Sequence, residues 1–89
     1  MEIKNNLIED IDKLLKITTE AQYAMSVIKK ADIVQNIDLI LIRVNAMKNP
    51  PMEAIGQLES ARETFQTNDS PATCEDIKTA LKKLRDDIC

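Results

Sequence analysis

"IKNNLIEDIDKLLKITTEAQYAMSVIKK", residues 3–30, steps through Ile3, Leu7, Ile11, Leu14, Thr18, Ala21, Met25 and Ile28 at intervals of four or three. That is the seven-residue, coiled-coil-type repeat of one helical face, and Ile8 and Leu15 widen it. The spacing predicts a helix from about residue 3 to about residue 30, roughly 40 Å long at about 1.5 Å per residue.

The phase breaks after Ile28. The next apolar anchor is Ile33, and Ile33, Ile37, Ile40, Val44 and Met47 form a second stepped stripe. Asp32 followed by Gln35 suits an N-cap pair. No glycine or proline lies between Lys29 and Asp32, so a tight turn and a kink in one long helix over residues 3–48 both fit. The run "IDLILIRV" (37–44) has the β-branched content of a strand, but its length and continuing step favour a helix.

"KNPPME" (48–53) is the clearest stop. Two consecutive prolines remove backbone donors and hold the chain out of a continuing helix, while a proline fits the first turn of the next one. Asn49 is the expected cap for a third helix over about 51–66, presenting Ala54, Leu58, Ala61 and Phe65, with Ile55 alongside. Gly56 within it suggests a close helix approach. "TNDSPAT" (67–73) is a polar loop ending in Thr73, which with Asp76 reads as a capping box for a last helix bearing Ile77, Leu81, Leu84 and Ile88. The expectation is an all-α fold over residues 1–89. It would be a single domain, a small antiparallel bundle of three to four helices with a long N-terminal helix. Either that helix is broken near Thr18 and Thr19, or its uncovered part is completed by another chain; completion by a second copy is the preferred expectation, hence a homo-oligomer, dimer or larger.

Composition narrows the function classes. With 89 residues the chain builds one core, and a domain of this size buries roughly 60 to 65% of its unfolded surface. Twelve basic and fifteen acidic side chains, well interleaved, give a net charge of -3, which argues against a dedicated nucleic-acid binder. No run approaches the roughly 20 apolar residues of a membrane span, and "MEIKNNLIED" lacks the basic-then-apolar pattern of a secretory signal. The expected location is therefore the cytoplasm. The chain has no histidine, which removes the commonest general base and transition-metal ligand, and one glycine is too few for a phosphate-cradling loop. No cofactor and no enzymatic activity are expected.

Charged clusters read as solvated faces. Glu9, Asp10 and Asp12 lie largely outside the apolar stripe, and Lys78, Lys82, Lys83 and Arg85 are bracketed by acids with no aromatic among them. Cys74 and Cys89 stand at opposite ends of the last helix, roughly 22 Å apart at about 1.5 Å per residue, too far for a disulfide or a shared metal. Cys74 falls in a first turn, which lowers a thiol pKa, although Glu75 and Asp76 oppose the effect.

Two surface features point to recognition. On a continuous first helix Tyr23 lies diametrically opposite Leu14 at about 100° per residue, with Val27 one turn later and Lys16 and Lys30 on the same side. A tyrosine beside an aliphatic residue and flanking charge resembles a binding anchor. On the second helix Leu39, Ile42 and Ala46 project away from the inner stripe, so that helix is apolar on two sides. Tyr23, Val27, Lys30, Leu39, Ile42 and Ala46 are thus the candidate partner-binding residues. Two functions fit. One is a non-enzymatic interaction protein (an inhibitor, immunity protein, chaperone or adaptor) holding a protein partner through a helical face. The other is an oligomeric binder of an anionic metabolite or nucleotide, with a subunit-interface pocket lined by Tyr23 and lysines.

The segment "LLKITTEAQYAMSVIKKADIVQNIDLILIRVNAM" (14–47) resembles the helical hairpins of flagellar-type export chaperones, and small four-helix bacteriocin-immunity proteins are similar in the same general way. The segment contains no diagnostic motif of either family, and no residue role is carried over.

Overall fold

A computed structural model describes the backbone of residues 2–88 and the side chains of residues 6–88. It contains four helices and, among the described residues, no strand: α1 (Glu2–Tyr23), α2 (Val27–Asn45), α3 (Met52–Thr67) and α4 (Pro71–Ile88). The expected all-α class holds, but the long N-terminal helix does not. The chain leaves the helix after Tyr23 and starts α2 four residues later.

Ser26 is the physical reason. It sits in extended backbone (φ -144°, ψ 163°), and its hydroxyl accepts from the Lys29 backbone N–H at 3.1 Å, supplying one of the acceptors a helix start needs. Lys29 in turn donates from Nζ to the Ala24 carbonyl at 2.8 Å, satisfying an orphaned acceptor at the end of α1. Asp32 therefore lies inside α2 and does not cap it. Ile28, placed on the inner stripe by the sequence, is instead 74% exposed. Had α1 run on to residue 30, its last seven residues, roughly 10 Å of helix, would have lacked a packing partner. Folding back at Ser26 brings Ile33, Ile37, Ile40, Leu41 and Val44 into the core instead.

The later boundaries come from prolines and a second serine. Pro51 occupies the N-cap position of α3 without a side-chain cap bond, so Asn49 does not cap it. Ser70, and not Thr73, serves the start of α4. Its hydroxyl accepts from the Thr73 N–H at 3.3 Å and its carbonyl accepts from the Cys74 N–H at 3.1 Å. Pro71 fills the first helical position, where a missing N–H costs nothing. Thr73 is buried and ties the loop down by donating to the carbonyls of Asn68 (2.6 Å) and Ser70 (2.8 Å).

Each helix packs on its sequence neighbours, and α1 also packs on α4. Polar pairs give the directions. Gln22 at the end of α1 meets Glu75 at the start of α4, Lys30 at the start of α2 meets Gln66 at the end of α3, and Lys83 late in α4 meets Glu53 early in α3. Neighbouring helices are therefore antiparallel. Inside lie Leu7, Ile11 and Leu14 of α1, Leu58 and Phe65 of α3, and Ile77, Leu81 and Leu84 of α4, with the inner stripe of α2. Among the described side chains of α1, Thr18 is the one buried polar group, and it is satisfied by donating to the Leu14 carbonyl at 2.7 Å. The Cα radius of gyration, 12.2 Å, matches the roughly 12 Å of a compact chain of this length. Among the described residues the α1 stripe from Leu7 to Ala21 is buried within one chain.

Gly56 faces open space: a Cβ built there meets nothing within 4 Å, so no close approach requires it. Gly56→Ala should raise stability by about 0.4 to 1 kcal/mol through lower unfolded-chain entropy and better helix propensity. Ser26→Ala should lower it by about 1 kcal/mol, the usual loss for an N-cap. Chemical denaturation with unchanged m-values would register both.

Candidate interaction surface

The outer side of α2 is the surface that the fold leaves apolar. At about 100° per residue, Ile28, Gln35, Leu39, Ile42 and Ala46 fall on one side of α2, opposite Ile33, Ile37, Ile40 and Val44. The inner set is buried, whereas Leu39 is 51% and Ile42 67% exposed, and Ala46 is exposed with them. Of the four helices α2 is the most apolar, and its contact with α3 is the loosest in the molecule.

Along that loose seam runs a shallow groove of about 480 Å³ lined by Val27, Lys30, Ala31, Val34, Gln35, Asp38 and Gln66. Polar ties hold its walls together. The Lys30 ammonium donates to the Gln66 carbonyl at 3.0 Å and lies 3.9 Å from Asp69. Arg62 approaches Asp38 through both ends of its fork: Nη2 donates at 3.1 Å, and Nε lies 2.6 Å from the other oxygen, aligned as an ionic contact and not as a hydrogen bond. Lys30, expected as a ligand-facing cation, is thus engaged within the chain.

The six candidate residues do not form one patch. Leu39, Ile42 and Ala46 share the outer side of α2, and Val27 borders the groove. Tyr23 is 88% exposed but belongs to the other helix, because the break at residues 24–26 removes the rotation that joined it to Val27. By its position on α1, Tyr23 shares a side with Asp12 and Lys16, and Asp12 pairs with Arg85 of α4 at 3.3 Å. Its side therefore turns toward α4. Ile28 and Ala31, also exposed, belong to the surface and were missed because an unbroken first helix placed Ile28 inside. A lone serine three residues before Lys29 was the only local signal.

The charged clusters serve the packing. Asp10 pairs with Arg43 of α2 and Asp12 with Arg85 of α4. Lys83 bridges to Glu53 of α3 at 3.2 Å, and Lys78 lies 3.6 Å from Glu75 while donating to Gln22 Oε1 at 3.0 Å. Among the described residues no group of three or more His, Cys, Asp or Glu side chains is placed to hold a metal ion, and no helix is long and apolar enough to cross a membrane. Cys74 is fully buried, and burial, reinforced by Asp69, pushes its thiol pKa up, which corrects the lowering expected from its first-turn position. Cys89 lies outside the described residues.

Comparison with protein-family models, with curated proteins and with solved structures finds no match to this chain.

One shifted group gives the α1–α4 junction a pH signature. The Glu75 carboxyl is held below its ordinary 4.5, first by the hydrogen bond from Gln22 Nε2 (3.0 Å) and then by Lys78. A lowered folded-state pKa contributes stability above the ordinary value, and that contribution is lost as pH falls through the folded-state value. Lys83 is the converse case. Its ammonium is raised above 10.5 by Glu53 and then Asp87, so its contribution is present below 10.5 and is lost as pH rises through the higher folded-state value. Gln22→Ala should move the Glu75 titration, followed by NMR of its side-chain carboxyl, back toward 4.5, and should flatten the loss of stability below that pH. An unmoved titration would show that the Gln22 bond does not set the shift.

Proposed function

We propose that this protein is a non-catalytic interaction module that holds a protein partner through the outer side of α2. One observation carries the reading. α2 buries one apolar stripe in the core and presents a second, opposite one, with Ile28, Leu39 and Ile42 all more than half exposed. A helix apolar on two sides packs on two sides. Isolated apolar residues on a surface are ordinary, but Leu39, Ile42 and Ala46 at steps of three and four, with Ile28 on the same line eleven residues earlier, form the pattern of a helix-in-groove or helix-on-helix contact. The cations of the groove, Lys30 and Arg62, are engaged within the chain, which suits shape recognition more than capture of a small anion. That makes the subunit-interface pocket for an anionic metabolite or nucleotide the weaker of the two readings.

A photo-crosslinking residue at Leu39 should give macromolecular adducts in cells, and the same residue at Lys82, on the exposed side of α4, should not. Adducts at both sites or at neither would overturn the reading. The double variant Leu39→Asp/Ile42→Asp should abolish adducts from a crosslinker placed at Gln35 and leave folding stability within about 0.5 kcal/mol, as expected for exposed positions. A loss of several kcal/mol would instead assign that side to the core.

A further inference from the structure

We infer that the occupant of the outer side of α2 is α2 of a second copy, packed antiparallel about a two-fold axis near Ile37. This rests on the reading of that side as an interaction surface and specifies its partner. The argument is the symmetry of the helix about its own middle. The outer stripe runs from Ile28 to Ala46, whose midpoint is Ile37, and Gln35 and Leu39 are centred on the same residue. Asp32 and Arg43 are eleven residues apart, three turns plus roughly 20° at about 100° per residue, so they stand on one flank of the stripe. They too are centred between Ile37 and Asp38.

In an antiparallel pair related by a two-fold axis, like flanks meet. Ile28 then faces the Ala46 position of the other copy, and Asp32 faces Arg43 twice over. A parallel pair would bring opposite flanks together at equal heights, setting Asp32 beside Gln35 and Arg43 beside Ala46 and leaving neither charge an opposite partner. Asp32 is exposed, and no ion pair within the chain engages it among the described residues. Arg43 is half-buried and donates through Nη1 to Asp10, which leaves its other guanidinium N–H groups for a second carboxylate. The area sets the strength. One helix about 28 Å long and about 10 Å wide offers less than the roughly 800 Å² per partner of a standard interface, so the dimer is a weak, concentration-dependent one.

Sedimentation velocity from about 10 µM to about 1 mM should show the mass rising from 10.0 kDa toward twice that value. Asp32→Arg and Arg43→Asp should each weaken self-association by roughly tenfold or more, since each turns both cross-pairs repulsive. An equimolar mixture of the two variants should associate like the wild type, because each copy then supplies the charge the other lacks. Circular dichroism and denaturation would establish that both variants remain folded. Should Arg43→Asp unfold the chain through loss of Asp10, Arg43→Gln, expected to lose only the attraction, replaces it in the single-variant measurement. The mixture is then expected to recover one of the two cross-pairs and to associate more tightly than Asp32→Arg alone. A wild type that stays at 10.0 kDa, single variants that associate as well as wild type, or a mixture that does not recover would each overturn the antiparallel pairing. Leu39 adducts to other proteins, with a monomeric wild type, would overturn the second copy alone and leave the interaction surface standing.

Discussion

The rest of the structure depends on Ser26, which turns a single long helical periodicity into two helices. A helix start must find acceptors for its first amide groups, and the Ser26 hydroxyl with the Lys29 side chain closes both ends of the break at once. Everything downstream follows from that reversal. α2 returns along α1, Arg43 reaches Asp10, and Ile37, Ile40 and Val44 fill the space between α1 and α3. A straight helix through this point would leave the core one layer short and the outer side of α2 without a position.

The four inner stripes were legible in the sequence because they depend on spacing alone, and the residues read as inner on α3 and α4 are buried. The prolines at 50 and 51 marked their boundary for the same reason: a missing donor is a local property. The caps were less legible. Ser26 and Ser70 begin helices without the acidic or amide residue three positions on that would complete a capping box, whereas Asp32–Gln35 and Thr73–Asp76 show that spelling and are not caps. Met25 and Ile28 also continue the α1 phase through the break, and only the tertiary packing decides that one is half-buried and the other is not. Leu39, Ile42 and Ala46 were readable as a second side because α2 itself is unbroken over them. Tyr23 and Val27 were joined in error because the rotation linking them assumed a helix that ends between them.

Charge and apolar burial divide the work unequally. The cross-helix pairs, among them Asp12–Arg85, Glu53–Lys83 and Asp38–Arg62, are partly exposed, and solvent screening leaves such pairs only a small share of the stability. Burying a single leucine or isoleucine contributes about 1.5 to 3 kcal/mol. The pairs therefore do not hold the fold together so much as select among its alignments, since sliding one helix by a turn would set several of them against the wrong partners. The α2–α3 seam is where this balance shifts. There Lys30–Gln66 and Arg62–Asp38 span a groove that apolar side chains do not fill, so α2 is anchored mainly to α1.

That loose attachment bears on why the outer side of α2 is apolar at all. An exposed isoleucine gains little burial energy in a lone chain, and in a helix it is a few tenths of a kcal/mol less favourable than lysine or glutamate. Folding of a single copy would be served better by charged residues at 28 and 42, as α4 illustrates with Lys82 and Arg85 on its exposed side. The inner stripe already completes the core, so the second stripe contributes nothing further to it. A row of apolar side chains that costs the isolated helix something, and that the chain's own packing does not use, becomes favourable only when another surface removes it from water.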